Sequence, residues 1–182
     1  SIMRLNRLQN RLDILHADAN SGESTAVYQE ENGKYISEAS DQTVTYLEDG
    51  EHLILNSEKD GYFHLYLLNY QSGVIAPITS GEYDICDFLG YDENSGHLFY
   101  TSYEESSLEK QLYSIHRDGK GKEKMSTRAG VNSATFSSDF KYYILNHSSI
   151  DSPQYITLHD KKGKLLRVLI DNAALTETIR TF

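Results

Sequence analysis

Apolar and polar residues alternate over short runs along most of this chain, and turns rich in Gly, Asp and Ser separate the runs. One such arrangement recurs: the stretch Tyr46–Leu55 returns as Tyr91–Tyr100 and again as Phe136–Leu145. Position 52 corresponds to 97 and then to 142, a step of 45 residues each time. A fixed period of this size, built from short apolar runs and turns, is typical of β-propeller blades.

Each repeat is predicted to contain four short antiparallel strands. Asp49-Gly50 and Ser72-Gly73, at two of the joints, tolerate the positive φ that tight hairpins require. The predicted strands are Gln42–Leu47, His52–Ser57, Tyr62–Asn69 and Val74–Thr79 in the first complete repeat, Asp84–Tyr91, His97–Tyr103, Lys110–His116 and Glu123–Thr127 in the second, and Asn132–Ser137, Lys141–Ser148, Gln154–His159 and Lys164–Leu169 in the third.

The first residues admit two interpretations. Apolar positions 5, 8, 12 and 15 fit one face of a helix, whereas Leu12–Asp18 and Ser24–Gln29 around an Asn-Ser-Gly turn match the strands of the later repeats. The turn favours strands, and this incomplete repeat is expected to supply three of them.

The end of the chain departs from the repeat. Asp171-Asn172 before the Ala-rich run Ala173–Ile179 predicts a capped, short helix. The predicted fold class is therefore all-β: a partial β-propeller of three to four four-stranded antiparallel blades with a short C-terminal helix. Residues 1–170 would form the blades and residues 171–182 a linker. Because a closed propeller needs at least about four blades, the chain is expected to be a piece of a larger one.

Composition removes several function classes. The net charge of −10 argues against a nucleic-acid partner. The sequence contains no run of 18 apolar residues, so no membrane span is predicted. A single cysteine, Cys86, excludes an internal disulfide and is expected to be a small buried side chain. The basic clusters are expected to be solvated; they are Arg4, Arg7 and Arg11, and Lys120, Lys122 and Lys124.

No motif for catalysis, metal binding or a cofactor occurs: a Gly-x-Ser-x-Gly elbow, a zinc-binding His pair, a phosphate loop and a calcium loop are all missing. We therefore predict no catalytic residue, no metal site and no cofactor. Ser107 and Lys110 fit Ser-x-x-Lys, but they fall at a predicted turn. His52 and His97 occupy equivalent repeat positions, where a hydrogen bond from a strand to its neighbouring turn is favoured over metal binding.

Three further local patterns are weighed in the same way. The carboxylate pairs Glu30-Glu31 and Glu104-Glu105 could bind a substrate amine, but solvated loops are the favoured interpretation. Asn146-His147-Ser148 fits a glycosylation sequon, yet it lies inside a predicted strand and is discounted.

Several strings resemble the dipeptidyl peptidase IV family, most closely its bacterial branch, and together they cover nearly the whole chain. These strings are Leu5–Asp13, Asn56–Tyr66, Tyr155–Asp160 and Leu166–Leu175. The resemblance implies a parent serine exopeptidase that removes N-terminal dipeptides after Pro or Ala. Its triad would lie in a downstream α/β-hydrolase domain, with which this segment would pack while gating access of peptide substrates. This segment would therefore be inactive alone.

The resemblance also implies where substrate would approach. In some members, the loop after the strand that corresponds to Tyr35-Ile36 lends contacts to the substrate pocket. Here that loop is Ser37-Glu38-Ala39-Ser40, so Ser37, Glu38 and Ser40 are predicted substrate-binding positions by location alone. The family's amine-binding acidic pair would lie upstream of Ser1. A periplasmic, secreted or cell-envelope location and a homodimer are further implications. The alternative is a free-standing propeller-type interaction module without enzymatic activity.

Overall fold

The structure, a computed structural model, describes residues 1–37, 43–179 and 181. This part of the chain forms one three-stranded and three four-stranded sheets, and within each sheet strands that are consecutive in sequence pair antiparallel. The strands are β1 (Ile2–Leu5), β2 (Arg11–Ala17) and β3 (Ser24–Glu31); β4 (Val44–Tyr46), β5 (His52–Ser57), β6 (His64–Asn69) and β7 (Ile75–Pro77); β8 (Ile85–Asp92), β9 (His97–Ser106), β10 (Glu109–His116) and β11 (Glu123–Lys124); and β12 (Val131–Phe136), β13 (Tyr142–Ser149), β14 (Ser152–Asp160) and β15 (Leu165–Ile170). The one described helix is α1 (Ala173–Ile179). The predicted all-β architecture is confirmed.

The chain divides into two compact units, Ser1–Gly81 and Glu82–Phe182. In the N-terminal unit, the core forms where Ile14 of β2 packs against the central strands β5 and β6 of the second sheet. The residues of that cluster are Ile14, Leu53, Leu55, Tyr66 and Leu68. The consecutive residues Leu53, Ile54 and Leu55 are all at most 1% exposed, so both faces of β5 are covered. That double burial explains why β5 is a continuous apolar run rather than an alternating one.

The incomplete first repeat forms strands, so the helical alternative for its residues is wrong. β2 lies between β1 and β3, with Leu5 opposite Leu12 and Leu12 opposite Glu30. The hairpin between β2 and β3 closes with a bond from the Gly22 N–H to the Asp18 carbonyl. Pairing on both edges satisfies the backbone of β2, which outweighs the helix-like spacing of its apolar residues.

Two outer strands end earlier than the sequence pattern predicted, for the same reason. The hydroxyl oxygens of Thr79 and Ser126 accept bonds from the backbone N–H groups of Leu65 and Leu112, at 3.0 and 2.9 Å. Each hydroxyl takes the place of a carbonyl in the strand ladder, so β7 stops at Pro77 and β11 at Lys124. The sequence marks these positions only by a hydroxyl residue.

In the C-terminal unit, aromatic rings join the third and fourth sheets. The centroids of Phe99 and Phe136 are 4.3 Å apart, and the Tyr143 ring lies 5.1 Å from Phe136 and 5.0 Å from His159. Phe140 packs over Gly90, where a Cβ atom would lie 2.7 Å from the ring. Burial raises the pKa of Tyr143 to about 12.

The predicted C-terminal helix is confirmed, and it follows an exposed strand. The Asp171 carboxylate accepts a bond from the Ala173 N–H at 3.1 Å, which caps the first turn of α1. All six residues of β15 are exposed although five of them are apolar. The apolar composition therefore predicted the strand correctly but not its exposure to solvent.

Cys86 is only partly buried, so the expectation of a buried side chain is wrong. It lies beside Ile85 on β8, where a bulge between residues 85 and 87 breaks the inward–outward alternation. No helix in the described ranges combines the length and apolar character needed to cross a bilayer.

Candidate functional site

The predicted substrate loop begins beside the turn that joins β5 to β6. Ser37 donates two hydrogen bonds to Glu58 Oε1, from its backbone N–H at 3.0 Å and from its hydroxyl at 3.2 Å. Just before it, Ile36 is buried and its N–H donates to the Gln9 carbonyl at 2.5 Å. The start of the loop is therefore fixed to both sheets of the N-terminal unit.

A buried carboxylate supports the same turn. Glu30 is 6% exposed, and its Oε2 accepts bonds from the Ser57 hydroxyl at 2.6 Å and the Tyr28 hydroxyl at 2.9 Å. The Ser57 oxygen in turn accepts the Lys59 N–H at 3.1 Å, which positions the turn that carries Glu58. Burial, followed by the charge of Glu30, raises the pKa of the Tyr28 hydroxyl.

Glu30 Oε1 is buried and has no hydrogen-bond partner among the described residues. The sequence signal for this burial was available: Tyr28 and Glu30 are two residues apart on β3, so they lie on the same face of the strand. Glu30 and Glu31 both lie on strand β3, and Glu30 is buried. The expectation that this pair lies in a solvated loop is therefore wrong.

The far side of the turn carries an aromatic ring between charges. The Tyr66 hydroxyl donates to Asp60 Oδ2 at 2.8 Å, and the Lys59 ammonium lies 4.7 Å from the centroid of the Tyr66 ring. Burial and the hydrogen bond to Asp60 raise the pKa of Tyr66. Tyr35 is 63% exposed two residues before Ser37. We call Tyr35, Ser37, Glu58, Asp60 and Tyr66 the loop site.

The loop site offers hydrogen-bond acceptors and aromatic surface. Carboxylates at Glu58 and Asp60 attract ammonium and amide N–H groups, and an exposed tyrosine ring packs against apolar or ring side chains. Such groups form hydrogen bonds and ring contacts with a ligand of matching chemistry. Of the predicted loop residues, Ser37 belongs to this site, whereas Glu38 and Ser40 lie outside the described residues.

The second carboxylate pair is also on a strand, which corrects the loop assignment. Glu104 and Glu105 belong to β9, and each accepts from a lysine, Lys122 Nζ at 2.5 Å and Lys124 Nζ at 2.6 Å. These ion pairs connect β9 with the chain around β11. Lys122 and Lys124 are thus ion-paired with glutamates rather than free in solvent.

The N-terminal basic cluster is partly paired as well. Arg4 and Arg11 each donate to the Asp13 carboxylate, at 2.7 and 3.2 Å, and Gln29 Nε2 donates to it at 2.7 Å. The Gln29 bond, then the Arg4 bond, lowers the pKa of Asp13 to about 2. Arg7, the third member, is exposed.

The Ser-x-x-Lys match does not form a catalytic pair. Ser107 lies in the turn between β9 and β10, whereas the Lys110 ammonium is 2.9 Å from Asp87 Oδ2. His52 and His97 bond to their preceding turns, at Asp49 Oδ2 (2.9 Å) and the Ser95 carbonyl (3.0 Å). The predicted structural role of these two histidines is confirmed.

Two further local features concern glycosylation and metal binding. The Asn146-His147-Ser148 sequon lies within β13, as predicted. Over the ranges that the structure describes, no group of three or more His, Cys, Asp or Glu side chains could hold a metal ion.

The sheet order and the repeat define the class of the chain: a β-propeller segment built from antiparallel sheets of three or four strands. It is similar to the crystal structure of Porphyromonas gingivalis dipeptidyl peptidase 4, with a TM-score of 0.88 and 36% identity over 98% of this chain and 25% of that one. The chain belongs to the dipeptidyl peptidase IV (DPP IV) N-terminal region family, whose profile matches residues 1–154.

Fungal relatives give the same result at lower identity. The chain is 27% identical to "Probable dipeptidyl peptidase 4" of Aspergillus flavus over 191 residues, and 26% identical to dipeptidyl peptidase 4 of Arthroderma otae over 183 residues. Each alignment covers 97% of this chain and 24% of the relative. The chain thus spans about a quarter of the length of the curated relatives it matches.

Proposed function

We propose that this chain is the non-catalytic propeller segment of a serine-type dipeptidyl peptidase that removes N-terminal Xaa-Pro or Xaa-Ala dipeptides. The observation that carries the proposal is the match to the DPP IV N-terminal region over residues 1–154, together with the close structural similarity to the Porphyromonas gingivalis enzyme. The relatives give no support to a free-standing interaction module. An α/β-hydrolase domain elsewhere in the parent protein would supply the nucleophile.

Within that protein, the loop site would contact the peptide substrate. Ser37 is anchored by two hydrogen bonds to Glu58, and exposed Tyr35 lies two residues before it, so the segment combines a fixed backbone with an available ring. Ser37, Glu38 and Ser40 remain predicted substrate-binding positions. The segment would also narrow access to the active site and pack against the hydrolase domain.

The activity test uses Gly-Pro-p-nitroanilide, a substrate that changes colour when a dipeptide is removed. We expect the parent protein to hydrolyse it and the 182-residue chain alone to show no turnover. Turnover by the isolated chain that survives purification and follows its concentration would contradict the assignment of a non-catalytic role. Absence of turnover in the parent, with folding verified, would contradict the proposed peptidase activity itself.

The loop site has its own test in the parent protein. Glu58→Gln replaces the carboxylate that holds Ser37 with an uncharged amide of nearly the same shape. We expect KM for the chromogenic substrate to rise severalfold with kcat little changed. Glu123→Gln, on exposed β11 of the other unit, is the matched control. Equal KM values in the two variants would remove the loop site from substrate binding.

Location and assembly complete the proposal. A periplasmic, secreted or cell-envelope location and a homodimer of the parent both follow from the family likeness. Cell fractionation and light scattering of the parent protein test them separately, and a cytoplasmic pool or a monomer would refute the corresponding statement.

A further inference from the structure

A cavity of about 330 Å³ opens in the C-terminal unit, where the segment after β11 faces strands β13, β14 and β15. Its apolar walls come from Met125, Leu145 and Leu165. Its polar lining includes Arg128, His147, Thr157 and His159. The volume falls in the range of small-molecule sites, and apolar walls with a few placed polar groups are typical of them. The cavity lies outside the loop site, which belongs to the other unit.

A buried histidine on the cavity wall has an unused acceptor. His147 is 4% exposed, and its Nε2 lies 2.8 Å from the Ala129 carbonyl oxygen. A carbonyl oxygen only accepts hydrogen bonds, so Nε2 carries the proton. In the neutral ring, Nδ1 is then an acceptor, and this buried atom has no partner among the described residues. Since buried polar atoms are normally paired, the missing partner points to a ligand donor.

A second acceptor lies on the next strand. The His159 ring bonds through Nδ1 to the Gly163 carbonyl at 3.1 Å, so its Nε2 accepts from the Thr157 hydroxyl at 2.9 Å. The Thr157 hydroxyl also lies 3.4 Å from the Leu145 carbonyl oxygen, so its single proton serves these two acceptors and the lone pairs of its oxygen remain to accept. Two residues that line the cavity, His147 and Thr157, therefore carry acceptor atoms, which N–H or O–H donors would complement.

The cavity mouth carries a cation with no anion. The Arg128 guanidinium lies 3.7 Å from the centroid of the Tyr155 ring, and no carboxylate of the described residues is within ion-pair distance of it. Its carbonyl accepts from the buried amides of Gln111 and Asn132, at 3.3 and 3.1 Å, which fixes the backbone at this point. A planar guanidinium held in this way suits a carboxylate, which it can bind through two parallel bonds.

We propose that this cavity binds a short peptide with a free C-terminal carboxylate, of which a dipeptide with an apolar last residue is the smallest example. The carboxylate would pair with Arg128, an N–H group would donate to His147 Nδ1, and the apolar side chain would pack against Leu145 and Leu165. The inference does not rest on the proposed peptidase activity, because it requires only binding.

Calorimetric titration of the 182-residue protein with glycyl-leucine tests the proposal. We expect saturable one-to-one binding that weakens by about tenfold or more in Arg128→Met, because that variant keeps the side-chain stem and removes the charged donors. His147→Gln retains a donor for the Ala129 carbonyl but lacks the Nδ1 acceptor, and it should weaken binding to a similar degree. Arg167→Met removes an exposed cation of β15 that does not line the cavity and should bind within about twofold of wild type.

Comparison of closely related ligands shows which group of the peptide the cavity recognises. Glycyl-leucinamide lacks only the carboxylate and should bind about tenfold more weakly than glycyl-leucine, and inorganic phosphate should not compete with it. Circular dichroism of each variant establishes that the sheets are retained. Absence of saturable binding, as expected if water alone serves Nδ1, would overturn the proposal. So would equal affinity for the amide, unchanged affinity in Arg128→Met, or full competition by phosphate.

Discussion

Gly130 lies at the entry to β12, beside the proposed peptide cavity, and its replacement by alanine should be costly. Its φ of +119° is a conformation that side-chain-bearing residues rarely adopt. A Cβ atom there would lie 2.5 Å from the Ser148 carbonyl oxygen and 2.9 Å from Ser149 Cβ. Ser148 is held opposite Val131 in the β12–β13 ladder, so its carbonyl cannot move aside without breaking that pairing.

The expected loss of stability for Gly130→Ala has two sources. Forcing alanine into a sparsely populated backbone region costs about 1–3 kcal/mol. Relief of the clash with the Ser148 carbonyl costs about a further 1–3 kcal/mol, as in overpacked cores. We therefore expect the unfolding free energy to fall by roughly 2–6 kcal/mol, and the melting temperature by roughly 2–4 °C for each kcal/mol in a chain of this size.

A matched control separates the cost of the steric clash from the cost of the backbone conformation. Gly121 also has a positive φ, +65°, but a Cβ atom there meets nothing within 4 Å. Gly121→Ala should therefore cost only the backbone contribution, about 1–2 kcal/mol. Urea unfolding of both variants, followed by circular dichroism, gives the comparison. If Gly130→Ala lost no more stability than Gly121→Ala, the argument from the Ser148 carbonyl would be refuted.

Three further predictions concern the turn that carries Glu58, the N-terminal cluster and the Ser-x-x-Lys match. Ser57→Ala removes a donor to the buried Glu30 carboxylate and should lower the unfolding free energy by about 1.5–3 kcal/mol in urea; no change would mean that solvent replaces the hydroxyl. The folded-state pKa of Asp13, about 2, is below its unfolded value of about 3.9, so its contribution is complete above about pH 4 and is lost as pH falls through 2. Asp13→Asn should accordingly flatten the stability–pH curve over that window, and an unchanged slope would exclude Asp13 as its source. Ser107→Ala should leave the proposed dipeptidyl peptidase activity of the parent protein within about twofold of wild type, and loss of activity would assign Ser107 a role that its turn position does not suggest.

The strand plan was predictable because it depends on local and periodic signals. The repeat of 45 residues located β5, β9 and β13, and the glycines at Gly50 and Gly73 marked hairpins whose positive φ values the structure contains. Strand ends were less predictable, since a single hydroxyl such as that of Ser126 decides whether a ladder continues.

The candidate site was predictable only in part. Family likeness pointed to Ser37, but the partner that fixes it, Glu58, is 21 residues away along the chain. The buried position of Glu30 follows from its place beside Tyr28 on one strand face, yet two adjacent carboxylates in a sequence are more typical of a solvated position. Sequence patterns give the face of a strand, but they do not give what covers that face.

By itself, the sequence determined the all-β class, the order of the strands, the short helix after Asp171 and the absence of a recognisable catalytic motif. Periodicity and turn chemistry are properties of neighbouring residues, so they survive without knowledge of the fold. Only the tertiary structure decided that apolar β15 is exposed, that Glu30 is buried, and that Arg128 and His147 line one cavity. Those outcomes depend on which distant segments meet, and packing between sheets, rather than local preference, settles them.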